Sequence, residues 1–132
     1  MLRVLIADDH YKVRQGLRDL LEEGPETMVV GEAKTGFETM AQARAESWDV
    51  VVLDINLPDQ SGLDVLRLLK QERPSLPVLL LSMHPGAQYI KGSLKAGAAG
   101  FLSKETAPEE LRAAIHTVLA GGIYVSRSLA GE

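Results

Sequence analysis

The 132-residue chain contains no cysteine. That absence excludes disulfide frameworks, thiolate zinc sites and thiol nucleophiles together, and suits a protein that folds in a reducing compartment such as the cytoplasm. Excess positive charge is also lacking. Eighteen acidic residues stand against fourteen basic ones, for a net charge of −4, so no overall positive field exists to hold a polyphosphate backbone and nonspecific nucleic-acid binding is not expected. Long apolar runs are missing too. The longest, such as Val78-Leu79-Leu80-Leu81, fall far short of the roughly 18 residues of a membrane span, so no membrane partner is expected. Two carboxylates, Asp8 and Asp9, interrupt the apolar start before a signal-peptide core could form. No internal repeat or low-complexity segment occurs. What is present is 45% hydrophobic and 24% charged residues with only 5% aromatics, the balance of a single soluble globular domain.

Short aliphatic runs at residues 3–7, 28–33, 50–54, 77–82 and 100–103 alternate with longer stretches of helical period. This is the pattern of a parallel sheet with crossover helices. The first, third and fourth runs are continuously apolar, as expected of central strands covered on both faces. Val13, Leu17, Leu20 and Leu21 recur at helical spacing, as do Phe37, Met40, Ala41 and Ala45. Leu63, Val65, Leu66 and Leu69 give a third apolar surface, and Leu111, Ala114, Ile115, Val118 and Leu119 a fifth. The fourth helix, over residues 87–96, has only Ile90 and Leu94 to bury and carries Gly92, with Gly97 placed to end it. It is expected to be the most mobile helix. Five strands and five helices in alternation predict an α/β fold, a doubly wound five-stranded parallel sheet of order 2-1-3-4-5, flavodoxin-like. Gly121-Gly122 marks the one candidate domain edge.

In that order the first and third strands are neighbours, and their carboxyl ends flank the point where the winding reverses and a ligand crevice forms. The strands end in Asp8 and Asp9, in Asp54, in Ser82 and in Lys104. Singly, such residues are common as helix caps or solvated loop residues. Together they bring three carboxylates, a hydroxyl and an ammonium to one edge. Converging carboxylates repel unless a cation joins them, and an all-oxygen donor set suits a hard ion such as Mg²⁺. With the ion bound, one carboxylate can attack phosphorus and form an aspartyl phosphate. Asp54 is the best candidate nucleophile, because the buried run Val51-Val52-Leu53 fixes its backbone. Lys104 can neutralise a phosphoryl oxygen and Ser82 can donate a hydrogen bond to one.

Asp8-Asp9 after the first strand, Asp54-Ile55-Asn56-Leu57-Pro58 with Ser61-Gly62 after the third, Ser82 after the fourth and Phe101-Leu102-Ser103-Lys104 at the fifth closely resemble the receiver domain of two-component response regulators. Asp8-Asp9-His10, Val13-Arg14-Gln15-Gly16-Leu17 and the tail Gly121-Gly122-Ile123-Tyr124-Val125-Ser126 are most similar to the subfamily whose receivers precede a LuxR-type helix-turn-helix domain. The resemblance implies that Asp54 accepts a phosphoryl group from a sensor histidine kinase. It implies Mg²⁺ held by Asp9, Asp54 and the Asn56 carbonyl, with Asp8 acting through water. Lys104 and Ser82 would contact the phosphoryl group, Ser82 and Phe101 would carry the switch, and Asn56 and His84 would tune dephosphorylation. Residues 1–120 would form the receiver, and residues 121–132 would begin a linker to a DNA-binding domain outside this chain, so that DNA is contacted only there and the output is transcriptional. A homodimer through the fourth helix, fifth strand and fifth helix is the further partner expected. A stand-alone receiver acting by protein contact is the alternative. Beyond its own phosphorylation and dephosphorylation the domain is not expected to be an enzyme.

Four positions depart from the family pattern. Leu57 stands for a common methionine, a volume-conserving change. Glu105 follows Lys104 where proline is frequent, and the family's cis peptide there would cost about 3 kcal/mol without proline, which leaves its presence open. Tyr11 replaces a proline at the entry to the first helix, and Phe101 lacks the hydroxyl of the commoner tyrosine. Haloacid-dehalogenase-type phosphatases also use a strand-end aspartate, but need an acid two residues later, where this chain has Asn56. No Gly-x-x-x-x-Gly-Lys-Ser/Thr run supports a P-loop hydrolase.

Other residues have plainer readings. His10, His84 and His116 share no ligand spacing and read as packing or solvent residues. Met28, Met40 and Met83 read as core or strand-end fillers, and Trp48 as a packing residue at the far end of the third strand. Arg14, Arg18 and Glu22 fall at four-residue steps on a face that is either simply solvated or a kinase-docking surface.

Overall fold

Val50–Asp54 and Val78–Ser82 are buried at every position, and in a strand, where alternate side chains point to opposite faces, this requires helices on both sides of the sheet. The computed structural model, which describes residues 2–24, 26, 28–83 and 87–127, has that arrangement. The elements run β1 (Leu2–Ala7), α1 (Tyr11–Glu23), β2 (Met28–Ala33), α2 (Gly36–Ala45), β3 (Val50–Asp54), α3 (Gly62–Glu72), β4 (Val78–Ser82), α4 (Ala87–Lys95), β5 (Gly100–Ser103), α5 (Ala107–Leu119) and β6 (Tyr124–Val125). All pairings are parallel, in the order β2-β1-β3-β4-β5-β6. The doubly wound α/β sheet and its first five positions are as the sequence predicts. The sixth strand is an addition.

One face of the sheet presents Leu5, Val51, Leu53, Leu80 and Phe101 to α2, α3 and α4, through Met40, Val65, Leu66 and Leu69 with half-buried Ile90 and Leu94. The other presents Val4, Ile6, Val50, Val52, Leu79, Leu81 and Leu102 to α1 and α5, through Leu17, Leu21, Leu111, Ile115 and Val118. Each such side chain contributes about 1.5–3 kcal/mol by burial, and together they fix which strand ends share an edge. Of the methionines, Met28 and Met40 are core residues as read, but Met83 is about half exposed, because it follows the last residue of β4 and leaves the covered sheet.

Helix ends are set locally. Gly97 has φ +108°, the left-handed conformation that ends α4 at little cost only in glycine. At the start of α2, Thr35 accepts from Glu38 N at 3.0 Å, and Asp59, from the loop after β3, accepts from Gly36 N at 2.7 Å and Phe37 N at 3.0 Å. Those bonds to the positive end of the helix hold the Asp59 carboxyl below the usual carboxylate range. Trp48 packs as read, donating from Nε1 to Gln42 O at 3.0 Å under the Arg3 guanidinium. No cis peptide occurs among the described residues, which include Lys104 and Glu105.

Candidate functional site at the carboxyl edge of the sheet

Parallel pairing of β1 with β3, of β3 with β4 and of β4 with β5 delivers the strand ends to one edge. Asp8 and Asp54 are buried there, 0% and 1% exposed. Between them lies the Lys104 ammonium, 2.9 Å from Asp54 Oδ2 and 3.0 Å from Asp8 Oδ2. The backbone placing it is tied to β4, since Lys104 N donates to Ser82 O at 2.9 Å. Ser82 itself is buried at the end of β4, in register with Ser103.

Asp54 Oδ1 accepts from Asn56 N at 3.0 Å, and the turn that makes this possible is closed by Gly62 N donating to Ile55 O at 2.8 Å. Gly62 is required by packing. A Cβ at this position would lie 2.4 Å from Asp54 O and 2.5 Å from Ile55 Cα, so only glycine lets the start of α3 approach the backbone of the buried aspartate so closely.

Burial pushes the Asp54 carboxyl up; the bonds from Asn56 N–H and Lys104 oppose this, and the charge of Asp8 adds to it. Burial works against the charge on Lys104, but the hydrogen bonds and charges of Asp54 and Asp8 outweigh it and hold the ammonium above its ordinary value. One ammonium therefore faces two buried carboxylates, with exposed Asp9 beside them. Asp8, Asp9, His10 and Asp54 each offer a ligand atom within 4.8 Å of the others. Lys104 Nζ, 3.0 Å from Asp8 Oδ2, is shared between that carboxylate and Asp54. The surplus negative charge is what a hard divalent cation relieves, so the donor set fits one.

Of the residues singled out from sequence, Asp8, Asp54 and Lys104 meet directly, and Asp9 stands at the rim. Asn56 is exposed beside Asp54, and Ser82 closes the β4 side. Phe101 is fully buried one strand away, edge-on to Tyr89 with ring centroids 6.4 Å apart. His84 lies outside the described residues. One sequence reading needs correction. Arg14 is not on a solvated face: it is buried, donating from Nη1 to Asp8 O at 2.7 Å and from Nε to Glu32 Oε1 at 2.9 Å. A long side chain carries the guanidinium from helix to strand end, where it satisfies a carbonyl at the site. Arg18 follows the same line to Glu32, and both arginines outweigh partial burial to hold the Glu32 carboxyl low. His10 is exposed, in keeping with its reading as a packing or solvent residue, and its Nδ1 is 3.0 Å from Asp8 Oδ1.

The sequence pattern described as the response regulator receiver domain matches residues 4–116. The chain belongs to that family. Over 130 residues this receiver is 40% identical to the transcriptional regulatory protein UhpA of Escherichia coli (strain K12), covering 98% of this chain and 65% of UhpA. The crystal structure of a LuxR-family two-component response regulator from Aurantimonas sp. SI85-9A1 superposes with a TM-score of 0.91 at 35% identity, covering 98% of this chain and 93% of that one. The isolated receiver of RcsB from Salmonella enterica serovar Typhimurium, solved with the phosphomimetic BeF3⁻, gives 0.89 at 26% identity, covering 98% and 96%. These likenesses, to a transcriptional regulatory protein, a transcriptional activator and a LuxR-family response regulator, support the LuxR-type subfamily and a signalling domain rather than a classical enzyme. The receiver spans about 60 to 65% of the length of the curated relatives it matches. Among its described residues no helix is long and apolar enough to cross a membrane.

Proposed function

We propose that this receiver takes a phosphoryl group from a sensor histidine kinase onto Asp54 and uses the change to control transcription. The observation that carries the reading is the buried pair of carboxylates, Asp54 and Asp8, bridged by Lys104 Nζ at 2.9 and 3.0 Å. The similarity to UhpA, named a transcriptional regulatory protein, supports the output. The similarity to a receiver solved with a phosphomimetic supports the chemistry.

In the reaction a carboxylate oxygen of Asp54 bonds to phosphorus as the bond from phosphorus to the donor histidine nitrogen breaks, and the departing imidazole takes up a proton. Asp54 needs no base, because it attacks as the ionised carboxylate. Asn56 N–H holds one of its oxygens, while Lys104 directs the other and receives the incoming negative charge. Asp9, Asp54 and the Asn56 carbonyl would hold Mg²⁺, with Asp8 acting through water. When bound, that ion offsets the charge of the phosphoryl oxygens. Ser82 contributes its hydroxyl to a phosphoryl oxygen, and Asn56 with His84 tunes the later hydrolysis.

The added charge, up to about two units, is accommodated when Ser82, at the end of β4, moves toward it. Phe101, packed against Tyr89 of α4, links that movement to the surface of α4, β5 and α5, which would carry a homodimer contact or an attached DNA-binding domain. Residues 1–120 act as the receiver and residues 121–132 begin the connection to that domain, in the cytoplasm. Incubation with a small acyl phosphate and Mg²⁺ tests the reading by intact mass. One phosphoryl group should add to the wild type and none to Asp54→Asn; equal labelling of both, or full labelling in excess chelator, would overturn it.

A further inference from the structure

The outward face of α2 carries an aromatic ring that the domain leaves uncovered. Phe37 is 76% exposed, more than any other large apolar side chain among the described residues. Fraying does not explain this, because Phe37 N donates to Asp59 Oδ2 at 3.0 Å and fixes the first turn of the helix. Glu38, Ala41, Arg44 and Ala45 are exposed with it, while Thr39, Met40 and Ala43 are buried on the other side. At 3.6 residues per turn the five exposed residues form one face centred on Ala41. Beside the ring lies a shallow cavity of about 330 Å³, lined by Phe37, Glu38, Ala41, Gln42 and Ala45. The face therefore has a large apolar knob at one end and a hollow over two alanines along the rest.

Such a face is complementary to itself. Glu38 and Arg44 lie about 4.5 Å along the axis to either side of Ala41, and Phe37 and Ala45 about 6 Å. A second α2 running antiparallel, related by a two-fold axis at Ala41, sets each Phe37 level with the other copy's Ala45 and each Glu38 level with the other copy's Arg44. The ring then enters the hollow, and opposite charges meet twice. Arg44 is already held by Glu72, Nε to Oε1 at 2.8 Å and Nη2 to Oε2 at 2.6 Å, so its guanidinium is a fixed platform that an aromatic face can cover. A parallel pair would instead set Phe37 against Phe37 and like charges against each other.

We infer that the outward face of α2 is a self-association surface, occupied by α2 of a second copy of this chain packed antiparallel about Ala41. One helix face about 15 Å long and 10–12 Å wide is well short of the about 800 Å² per partner of a stable complex, so the contact is weak and reversible. It is also separate from the switch. α2 lies against β1 and β2, and β2 is at the opposite end of the sheet from β6, so the pair leaves α4, β5, α5 and the described end of the chain uncovered. The contact therefore forms without phosphorylation, and where copies are already joined through another face it links those dimers to one another.

The absence of cysteine from the chain makes the register testable. A disulfide needs Cβ atoms about 3.5–4.5 Å apart, and on this face only the residue at the two-fold axis meets its own copy so closely. Under mild oxidation at high protein concentration, Ala41→Cys should cross-link about tenfold faster than Ala45→Cys or than Arg67→Cys on the exposed side of α3. Adding Phe37→Ala to Ala41→Cys should remove that advantage. Sedimentation equilibrium of the unmodified chain should show a reversible dimer at high concentration, about tenfold weaker in Phe37→Ala and unchanged in Asp54→Asn. Phe37 is exposed, so its truncation leaves the core intact. Equal cross-linking at the three positions, or association that Phe37→Ala does not weaken, would overturn the inference. So would a chain that stays monomeric at every concentration, which would leave the ring to a different protein.

Discussion

Ser126 Oγ donates to Glu110 Oε2 at 2.7 Å and accepts from Ser103 N at 2.9 Å, so a buried hydroxyl near the described end of the chain is fastened to the residue that precedes Lys104. Glu110 gathers the rest of this region. It accepts from Thr106 Oγ1 at 2.6 Å, Tyr124 Oη at 3.1 Å and Arg127 N at 3.0 Å. One carboxylate on α5 therefore joins β6, the loop carrying Lys104 and the start of α5.

Removing that carboxylate leaves the buried Ser126 hydroxyl and three further donors without their acceptor. Glu110→Ala is expected to destabilise the domain by about 1–3 kcal/mol and to speed amide exchange over residues 124–127 more than over β1 or β3. Chemical denaturation and hydrogen exchange measure the two effects. An unchanged midpoint with unchanged exchange would show that β6 is held by its strand pairing alone.

The same carboxylate gives a pH dependence of definite sign. Burial raises the Glu110 carboxyl, but the hydrogen bonds from Thr106, Ser126, Arg127 and Tyr124 outweigh it and hold it below the ordinary glutamate value. The unfolded chain binds this proton more readily than the folded one, so the stabilisation is complete above the ordinary value of about 4.3 and is lost as pH falls through the lower folded value. The stability difference between wild type and Glu110→Gln should be constant from about pH 6 to 8 and shrink below about pH 4. A difference that grows toward low pH would contradict the assignment.

Arg14 holds the backbone of Asp8 from below. Arg14→Ala removes a charged hydrogen bond to a carbonyl and leaves Glu32 with Arg18 alone, at an expected cost of about 1.5–3 kcal/mol. Mg²⁺ affinity should fall with it, because Asp8 loses its support. Arg14→Lys should restore little, since one ammonium cannot replace the two-sided guanidinium. Thermal unfolding with and without Mg²⁺ reads both effects, and wild-type behaviour of Arg14→Ala would return the residue to the solvated face.

The parallel sheet and the meeting of Asp8, Asp54 and Lys104 could be read from the sequence because each residue ends an apolar run, and burial fixes the run's direction. His10, Arg14 and Glu110 could not be found in that way. Arg14 and Arg18 share a four-residue spacing and differ only in which is nearer the strand ends, a tertiary fact that the guanidinium's reach exploits. Glu110 looks like an ordinary acid in the first turn of α5 until the chain returns with Ser126, and the two residues of β6 are too few to show a strand period. Met83, read as a core or strand-end filler, falls at the strand end, an apolar side chain just beyond the covered part of β4.

Phosphorylation should be felt unevenly. With a phosphoryl mimic bound, amide exchange should change over the end of β4, α4 and β5, where Phe101 meets Tyr89, while α1 and α2 stay nearly silent. A change confined to α2, or spread evenly, would overturn the switch without touching the phosphoacceptor.

The central claim is that Asp54 is the residue that becomes phosphorylated. An acyl phosphate is reduced by borohydride to the alcohol, which converts the phosphorylated aspartate to homoserine and marks it permanently. After reaction with a small acyl phosphate and Mg²⁺, then reduction and peptide mapping, homoserine is predicted at position 54 and at neither Asp8 nor Asp9. Homoserine at position 8 or 9, or none anywhere in protein that has gained a phosphoryl group, would contradict the account.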